Sequence, residues 1–396
     1  MTRPGCNPAW FYGQSYKIPM MRYPRIFFLL VLTLVSFHAW SQFVVTGTVL
    51  DSATREPLAA ASVFCQNTTL GTATNKQGEF TLNLKSGGYD LIFTYTGYQT
   101  QTVRVSVNNK LEILMVKEEK SMGEVVLRNT YEVADGMAKY GNFFLEHFIG
   151  ATPNAAKCRL LNPEALKFYF YKKSNRLKVL ATEPVKIANP ALGYNLYYQL
   201  DSFVYYYNNS SNIYRGYCLY TEMEGSDSLK KVWASARKNA YAGSKLQFMR
   251  SYYDSTLIED GWIVDLLDAK DEKKFNKIPD VYDTLYYNPF VNMRDSLGMD
   301  SLLYPVPAGP VEVEIYFPRK ISITYTKKRP EADYLKKMGL PKGIPYQISY
   351  IDLRDAIVIN ENGYYYDQKN WVNQGYWSWK NLADQLPYDY SPDNPN

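Results

Sequence analysis

The chain has 396 residues, 46% hydrophobic and 21% charged, a globular composition that excludes disorder and leaves room for two or three domains. Its formal net charge of +5 is concentrated at the front. Residues 1–41 hold Arg3, Lys17, Arg22 and Arg25 and no acid, so the remainder carries only +1. Neither nucleic acid nor an anionic membrane is an expected partner of so neutral a body.

Residues 1–20, upstream of Met21, have neither the charge nor the apolar pattern of a leader and read as an over-called start. Residues 21–41 read as a cleavable secretory signal, with Arg22 and Arg25, an apolar run from Ile26 to Val35, and the small-residue ending Ala39-Trp40-Ser41. A bilayer span needs about 20 apolar residues, so no transmembrane span is expected after cleavage. A lipoprotein signal needs a Cys directly after its small-residue box. None stands between Cys6 and Cys65, so a lipid anchor is not expected. Export places Cys65, Cys158 and Cys218 in an oxidising compartment. Cys65 reads as a small buried hydrophobe, and Cys158 and Cys218 as a disulfide candidate that sequence alone leaves open.

Residues 42–118 read as a small β-sandwich. Short alternating strands are expected at Val44–Leu50, Ala61–Gln66, Gly78–Leu84, Tyr89–Tyr95, Gln101–Val107 and Leu111–Val116, separated by turn residues at Asp51-Ser52, Asn75–Gly78 and Gly87-Gly88. The segments G-T-V-L-D-S-A-T-R-E-P-L-A-A-A-S-V (Gly47–Val63), N-K-Q-G-E-F (Asn75–Phe80) and Y-T-G-Y (Tyr95–Tyr98) resemble the carboxypeptidase-like regulatory domain. This transthyretin-like module is common at the front of Gram-negative envelope proteins. The resemblance implies export to the periplasm or the outer membrane and cell surface.

The charged run Lys117–Lys120 reads as a linker, after which a Tyr-rich α+β domain occupies residues 119–390, with a polar tail at 391–396. Asp135 can cap a helix over 136–149, whose Met137, Tyr140, Phe144 and Phe148 share one face. Strands are expected at Leu166–Tyr171, Leu177–Ala181, Tyr194–Tyr207 and Ile213–Met223. One helix is expected from Ser226 to Leu257, with Gly243 as its weak point. From Trp262 to Asp300 the sequence reads as polar and irregular. Strands resume at Val311–Phe317, Ile321–Thr326, Ile344–Leu353 and Ala356–Ile359, and Glu361-Asn362-Gly363 is a hairpin turn before Tyr364–Tyr366. A short amphipathic helix follows Gly375 and stops at Pro387. The stretches F-I-G-A-T-P-N-A-A-K-C-R-L-L-N-P-E (Phe148–Glu164), N-P-A-L-G-Y (Asn189–Tyr194), R-K-N-A-Y-A-G-S (Arg237–Ser244) and G-Y-W-S-W (Gly375–Trp379) resemble an uncharacterised family found behind the same module. That resemblance implies location and no reaction.

Catalytic constellations are scarce. A zinc carboxypeptidase site needs two His and a Glu, and after loss of His38 with the signal only His147 remains. His147 reads as a partly buried helix residue, no G-x-S-x-G elbow accompanies it, and no phosphate-cradling or EF-hand loop occurs. Neither metal nor cofactor is expected. Paired carboxylates remain as a route to a glycosidase-like hydrolase. The 37 tyrosines and seven tryptophans suit a binding role, and Tyr205, Tyr207, Tyr364, Tyr366, Trp377 and Trp379 are the candidate binding surface; the competing reading is that such rings alternate between core and solvent. Tripeptides at Asp51, Asp227, Asp254, Asp283, Asp295 and Asp300 resemble a short O-glycan acceptor. The polar ending differs from the aromatic terminus of an outer-membrane barrel. The sequence thus predicts a mainly β protein with some α: a transthyretin-like sandwich followed by an α+β domain, exported, non-enzymatic, and binding an envelope protein or glycan.

Overall fold

Alternation of apolar and polar residues builds the first domain. In Phe43–Asp51, every second residue from Val45 onward is buried, and this strand lies between Glu79–Leu84, antiparallel, and Lys110–Met115, parallel. The facing sheet runs Gly71–Ala73, Ser62–Cys65, Tyr89–Thr94, Gln101–Val105. The seven strands form the expected sandwich around Val45, Val49, Val63, Leu91 and Phe93. Only Gly71–Ala73 was not foreseen, being three residues long. Gly47 is required by close strand approach, since a Cβ there would run into the Leu111 carbonyl and the Phe80 ring.

Asp51 explains two of the motifs in this region. Its Oδ1 accepts from Ala53 N at 2.7 Å and Thr54 N at 2.9 Å, and its Oδ2 accepts from the Tyr98 hydroxyl at 2.6 Å and meets Lys117 at 3.3 Å. The Tyr98 hydrogen bond, ahead of the Thr54 amide, holds the Asp51 carboxyl far below the usual carboxylate range.

This is a computed structural model, and it describes residues 43–84, 88–105, 110–118, 130–267, 275–277, 286–287, 312–317, 320–366 and 368–393. The expected start at 1–20 and signal at 21–41, the far end of the linker and most of the 268–311 region lie outside the described residues. Among the described residues no helix is long and apolar enough to cross a membrane.

Behind the sandwich stands a seven-stranded antiparallel sheet organised on the hairpin of Tyr194–Tyr206 and Ser211–Glu222. Its other strands are Thr130–Glu132, Leu166–Tyr171, Arg176–Ala181, Val185–Asn189 and Arg159–Leu160. The helix Gly136–Phe148 covers one face, with Phe144 and Phe148 meeting Phe168, Phe203 and Tyr198. Asp135 occupies its N-cap position without a side-chain cap bond.

The single helix expected from Ser226 to Leu257 is instead three: Asp227–Tyr241, Lys245–Tyr253 and Leu257–Asp260. Gly243 has φ +80°, and a Cβ there would strike Gln347 and Tyr325. Ser244 then caps the next helix by accepting from Gln247 N at 3.1 Å. Ser226, not Asp227, caps the first.

The stretch beyond Trp262, expected to be irregular, begins with the strand Trp262–Leu267. It joins Phe275–Lys277, Ile321–Tyr325, Gln347–Leu353 and Trp371–Gly375 in a five-stranded sheet. Val313–Ile315 lies between Tyr286–Tyr287 and Ile357–Ile359 in a smaller sheet. Five of the six residues of Trp262–Leu267 are apolar, and the strand pairs antiparallel with Ile321–Tyr325.

Sandwich and second domain are joined along a broad seam. The loop Asn67–Thr69 extends the sheet at Ser211–Glu222, with Asn67 N donating to Cys218 O at 2.8 Å and Tyr220 N to Thr68 O at 2.9 Å. The Tyr364 hydroxyl sits 2.7 Å from Asp90 Oδ2 and 2.9 Å from Gln66 Oε1, and the Arg104 guanidinium lies 3.3 Å over the Tyr366 ring. Phe43–Asn396 accordingly form one contact unit.

Candidate functional site

The stretches that carry the second resemblance meet around residues 376–390. Thr152 Oγ1 donates to Asp384 Oδ2 at 2.6 Å and Asn154 Nδ2 to Asp384 Oδ1 at 2.9 Å. Asn189 Nδ2 donates to Ala383 O at 3.0 Å, and Trp377 Nε1 to Gly243 O at 2.9 Å. Arg237, almost wholly buried, bonds through Nε to Leu192 O at 2.7 Å and through Nη2 to Gly193 O at 3.1 Å. It also forks onto Glu222 at 2.9 Å and covers the Tyr194 ring. These residues close the fold.

An acid–lysine–acid group lies at the edge of this region. Lys380 Nζ is 2.9 Å from Glu331 Oε1 and 3.4 Å from Asp384 Oδ1, and the Tyr376 hydroxyl also donates to Glu331. Burial alone would push the Glu331 carboxyl up. The Lys380 charge and the hydrogen bonds from Tyr376 and Lys380 outweigh it and leave the pKa below the ordinary glutamate value. A depressed folded pKa gives stability that is present above the unfolded value and lost as pH falls through the folded one. The urea midpoint is therefore expected to fall as pH drops below about 4.3, and Glu331→Gln should flatten that part of the profile. Urea titrations between pH 6 and 3 read this directly; equal slopes for both proteins would reject it. With Lys380 between them, Glu331 and Asp384 neutralise a cation instead of facing a substrate as an acid–base pair.

The aromatic residues singled out in the sequence are placed in the interior. Tyr205, Tyr364, Tyr366, Trp377 and Trp379 are buried and Tyr207 is half-buried, which corrects the expectation of a solvent-facing set. Tyr205 and Tyr207 pack beneath the helix Gly136–Phe148 against Phe143. Tyr364 and Tyr366 fill the domain seam, and Trp377 and Trp379 belong to the core of the five-stranded region. Cys158 and Cys218 are free thiols, unlike the candidate disulfide. Burial pushes the Cys158 thiol up to about 12 and that of Cys218 higher still, so neither is an activated nucleophile. His147 Nδ1 lies 2.8 Å from Phe143 O, in a ring stack with Phe143 and Tyr205. Among the described residues no group of three or more His, Cys, Asp or Glu could hold a metal ion. Of the Asp-Ser/Thr sites, Ser228 and Ser255 are exposed, and those at 283–302 lie outside the described residues.

Among the described residues, the second face of the seven-stranded sheet is the one not packed into a core. Phe168, Leu177, Val179, Phe203 and Tyr205 point to the helix and are buried; their neighbours Lys167, Tyr169, Tyr171, Arg176, Lys178, Val204 and Tyr206 are half-buried, and Ile213 and Arg215 are exposed. None of this outer set belongs to a core cluster. The strand register places Tyr171, Arg176 and Tyr206 on one rung, and Tyr169, Lys178, Val204 and Ile213 on the next. Neighbouring positions on a rung are about 4.8 Å apart. The Arg176 guanidinium lies 4.3 Å over the Tyr171 ring. The sequence reading selected Tyr205 and Tyr207 and passed over Tyr206. The missed signal is period-two order in L-K-F-Y-F-Y and R-L-K-V-L-A, where Phe168, Leu177 and Val179 face the helix and Tyr169, Tyr171, Arg176 and Lys178, with Leu180, lie on the other face.

Over 103 residues the chain is 30% identical to a TonB-dependent receptor of Formosa agariphila, covering 25% of this chain and 10% of the receptor. Over 112 residues it is 27% identical to the TonB-dependent receptor SusC of Bacteroides thetaiotaomicron, covering 28% and 10%. The chain thus spans about a tenth of the length of these relatives. Among solved structures, a type II cohesin–X-dockerin complex from Acetivibrio cellulolyticus is 25% identical with TM-score 0.17, covering 19% of this chain and 57% of that one. A DUF3823 family protein from Bacteroides ovatus is 9% identical with TM-score 0.16, covering 46% and 96%. The family model of the CarboxypepD_reg-like domain matches residues 45–127, a stretch that takes in the sandwich strands through Lys110–Met115. The chain therefore carries a CarboxypepD_reg-like domain at its front.

Proposed function

We propose that this is a non-enzymatic, exported envelope protein whose open sheet face binds a surface protein or glycan. The observation that carries the binding role is that face: a half-buried, tyrosine- and cation-bearing surface that belongs to no core cluster among the described residues, while the other side packs against the helix Gly136–Phe148. Tyr and Arg are the side chains most often found at binding hot spots. Export is supported by the signal pattern at 21–41 and by the segment shared with TonB-dependent receptors. The non-enzymatic reading is supported by the structural use of Asp384, Lys380, Glu331 and Arg237, and by thiols held protonated.

The test is a panel of envelope polysaccharides and peptides, assayed for both retention and turnover. The chain is expected to retain a ligand unchanged, and Tyr171→Ala/Tyr206→Ala to lose about tenfold in affinity, as for loss of aromatic anchors. Product formation would sink the non-enzymatic reading. Undiminished binding by the variant would move the site off this face.

A further inference from the structure

Resting on that reading, we infer that the ligand of the open sheet face is an acidic polysaccharide, whose sugar rings lie on the tyrosines and whose carboxylates meet Arg176 and Lys178. The charges on the face divide unevenly. At one side Lys167 is paired with Glu132 at 3.1 Å. Toward the hairpin, Arg215 lies near Asp201, whose carboxyl burial raises and the Arg215 charge lowers. Between them stand Arg176 and Lys178, and among the described residues no carboxylate pairs with either. Arg176 Nε is buried without a hydrogen-bond partner, its guanidinium carbon 4.3 Å from the Tyr171 ring centroid. Two adjacent cations without a carboxylate partner among the described residues, in a protein of near-zero mature charge, form a local attraction for carboxylates.

The flanking side chains favour a sugar chain over an acidic protein. Each cation has tyrosines for neighbours: Arg176 lies between Tyr171 and Tyr206 on its rung, and Lys178 beside Tyr169. Phenol rings offer an apolar surface with a polar tip, which suits a pyranose with its apolar ring face and hydroxyl rim. A protein partner would be anchored by protruding apolar side chains or a central pocket, and within this described outer set Ile213, 44% exposed, is the one exposed aliphatic side chain. Alternation of ring and cation at strand spacing matches a polymer that repeats sugar and carboxylate.

The experiment is affinity electrophoresis of the full chain in gels cast with polygalacturonate, with its fully methyl-esterified form, or with a polyglutamate peptide, at low salt and in about 0.5 M salt, where screening is strong. Retardation by polygalacturonate is expected. It should be lost with esterification or high salt and weakened about tenfold in Arg176→Gln/Lys178→Gln, with unchanged circular dichroism. Tyr206→Ala should weaken it as well. Equal retardation by the esterified polymer would overturn the acidic ligand while leaving the binding face standing. Retardation by polyglutamate alone would replace the glycan with an acidic protein. Retardation that both sets of variants leave intact would overturn the face itself.

Discussion

Replacing Arg237 by Ala is expected to destabilise the chain by about 2–4 kcal/mol, from lost buried hydrogen bonds and lost packing. Glu222 contributes little to that loss, because its side chain is about half exposed and can turn to water. The cost comes from the Leu192 carbonyl, left without the Arg237 donor at about 1–3 kcal/mol, from the Gly193 carbonyl, which keeps only the Met223 amide, and from the space vacated beside Tyr194. Arg237→Lys should recover only a minor part, since a point-charge ammonium cannot serve two carbonyls and a carboxylate through one planar fork. Urea unfolding followed by tryptophan fluorescence measures both. A loss under about 1 kcal/mol, or complete rescue by Lys, would show that the guanidinium network does not hold the Asn189–Tyr194 turn.

The second large effect is at Trp377. Its ring is within 5.5 Å of Phe248 and 6.0 Å of Trp262, centroid to centroid, and Nε1 donates to Gly243 O at 2.9 Å. Trp377→Ala should therefore cost about 3–5 kcal/mol, as large aromatic truncations in cores do. Trp377→Phe should cost less, keeping part of the volume while leaving the Gly243 carbonyl without its donor. Had Trp377 been a surface ring for ligand, truncation would change stability by no more than about 0.5 kcal/mol and would change binding instead. Urea midpoints and ligand retention measured on one preparation separate these outcomes.

Much of the strand pattern was legible because period-two alternation and turn residues are local. Phe43–Asp51, Leu166–Tyr171 and Tyr194–Tyr206 fall within a residue of their expected bounds. The helix break at Gly243 was visible as a weak point, but its reality depends on Gln347 and Tyr325, more than 80 residues away. The strand Trp262–Leu267, apolar at five of its six positions, carried a local signal that the polar sequence after it obscured, and Ile321–Tyr325 is its partner. The site was less legible. Tyrosine abundance pointed to binding, yet abundance does not say which rings face out. Tyr364, Tyr365 and Tyr366 are all buried because the seam and the neighbouring core cover them, a matter of tertiary contact. Near-neutral net charge also concealed the cation pair, because a total carries no positions.

The seam has a consequence for modularity. A domain joined by a free linker can be exchanged for any homologue without harm. Here the exchange would have to reproduce Gln66, Asn67, Asp90 and Arg104, since Tyr364, Cys218 and Tyr366 depend on them. The sandwich of this chain is therefore a matched part, fitted to the body behind it, and a graft lacking those four residues would meet that body with the wrong surface.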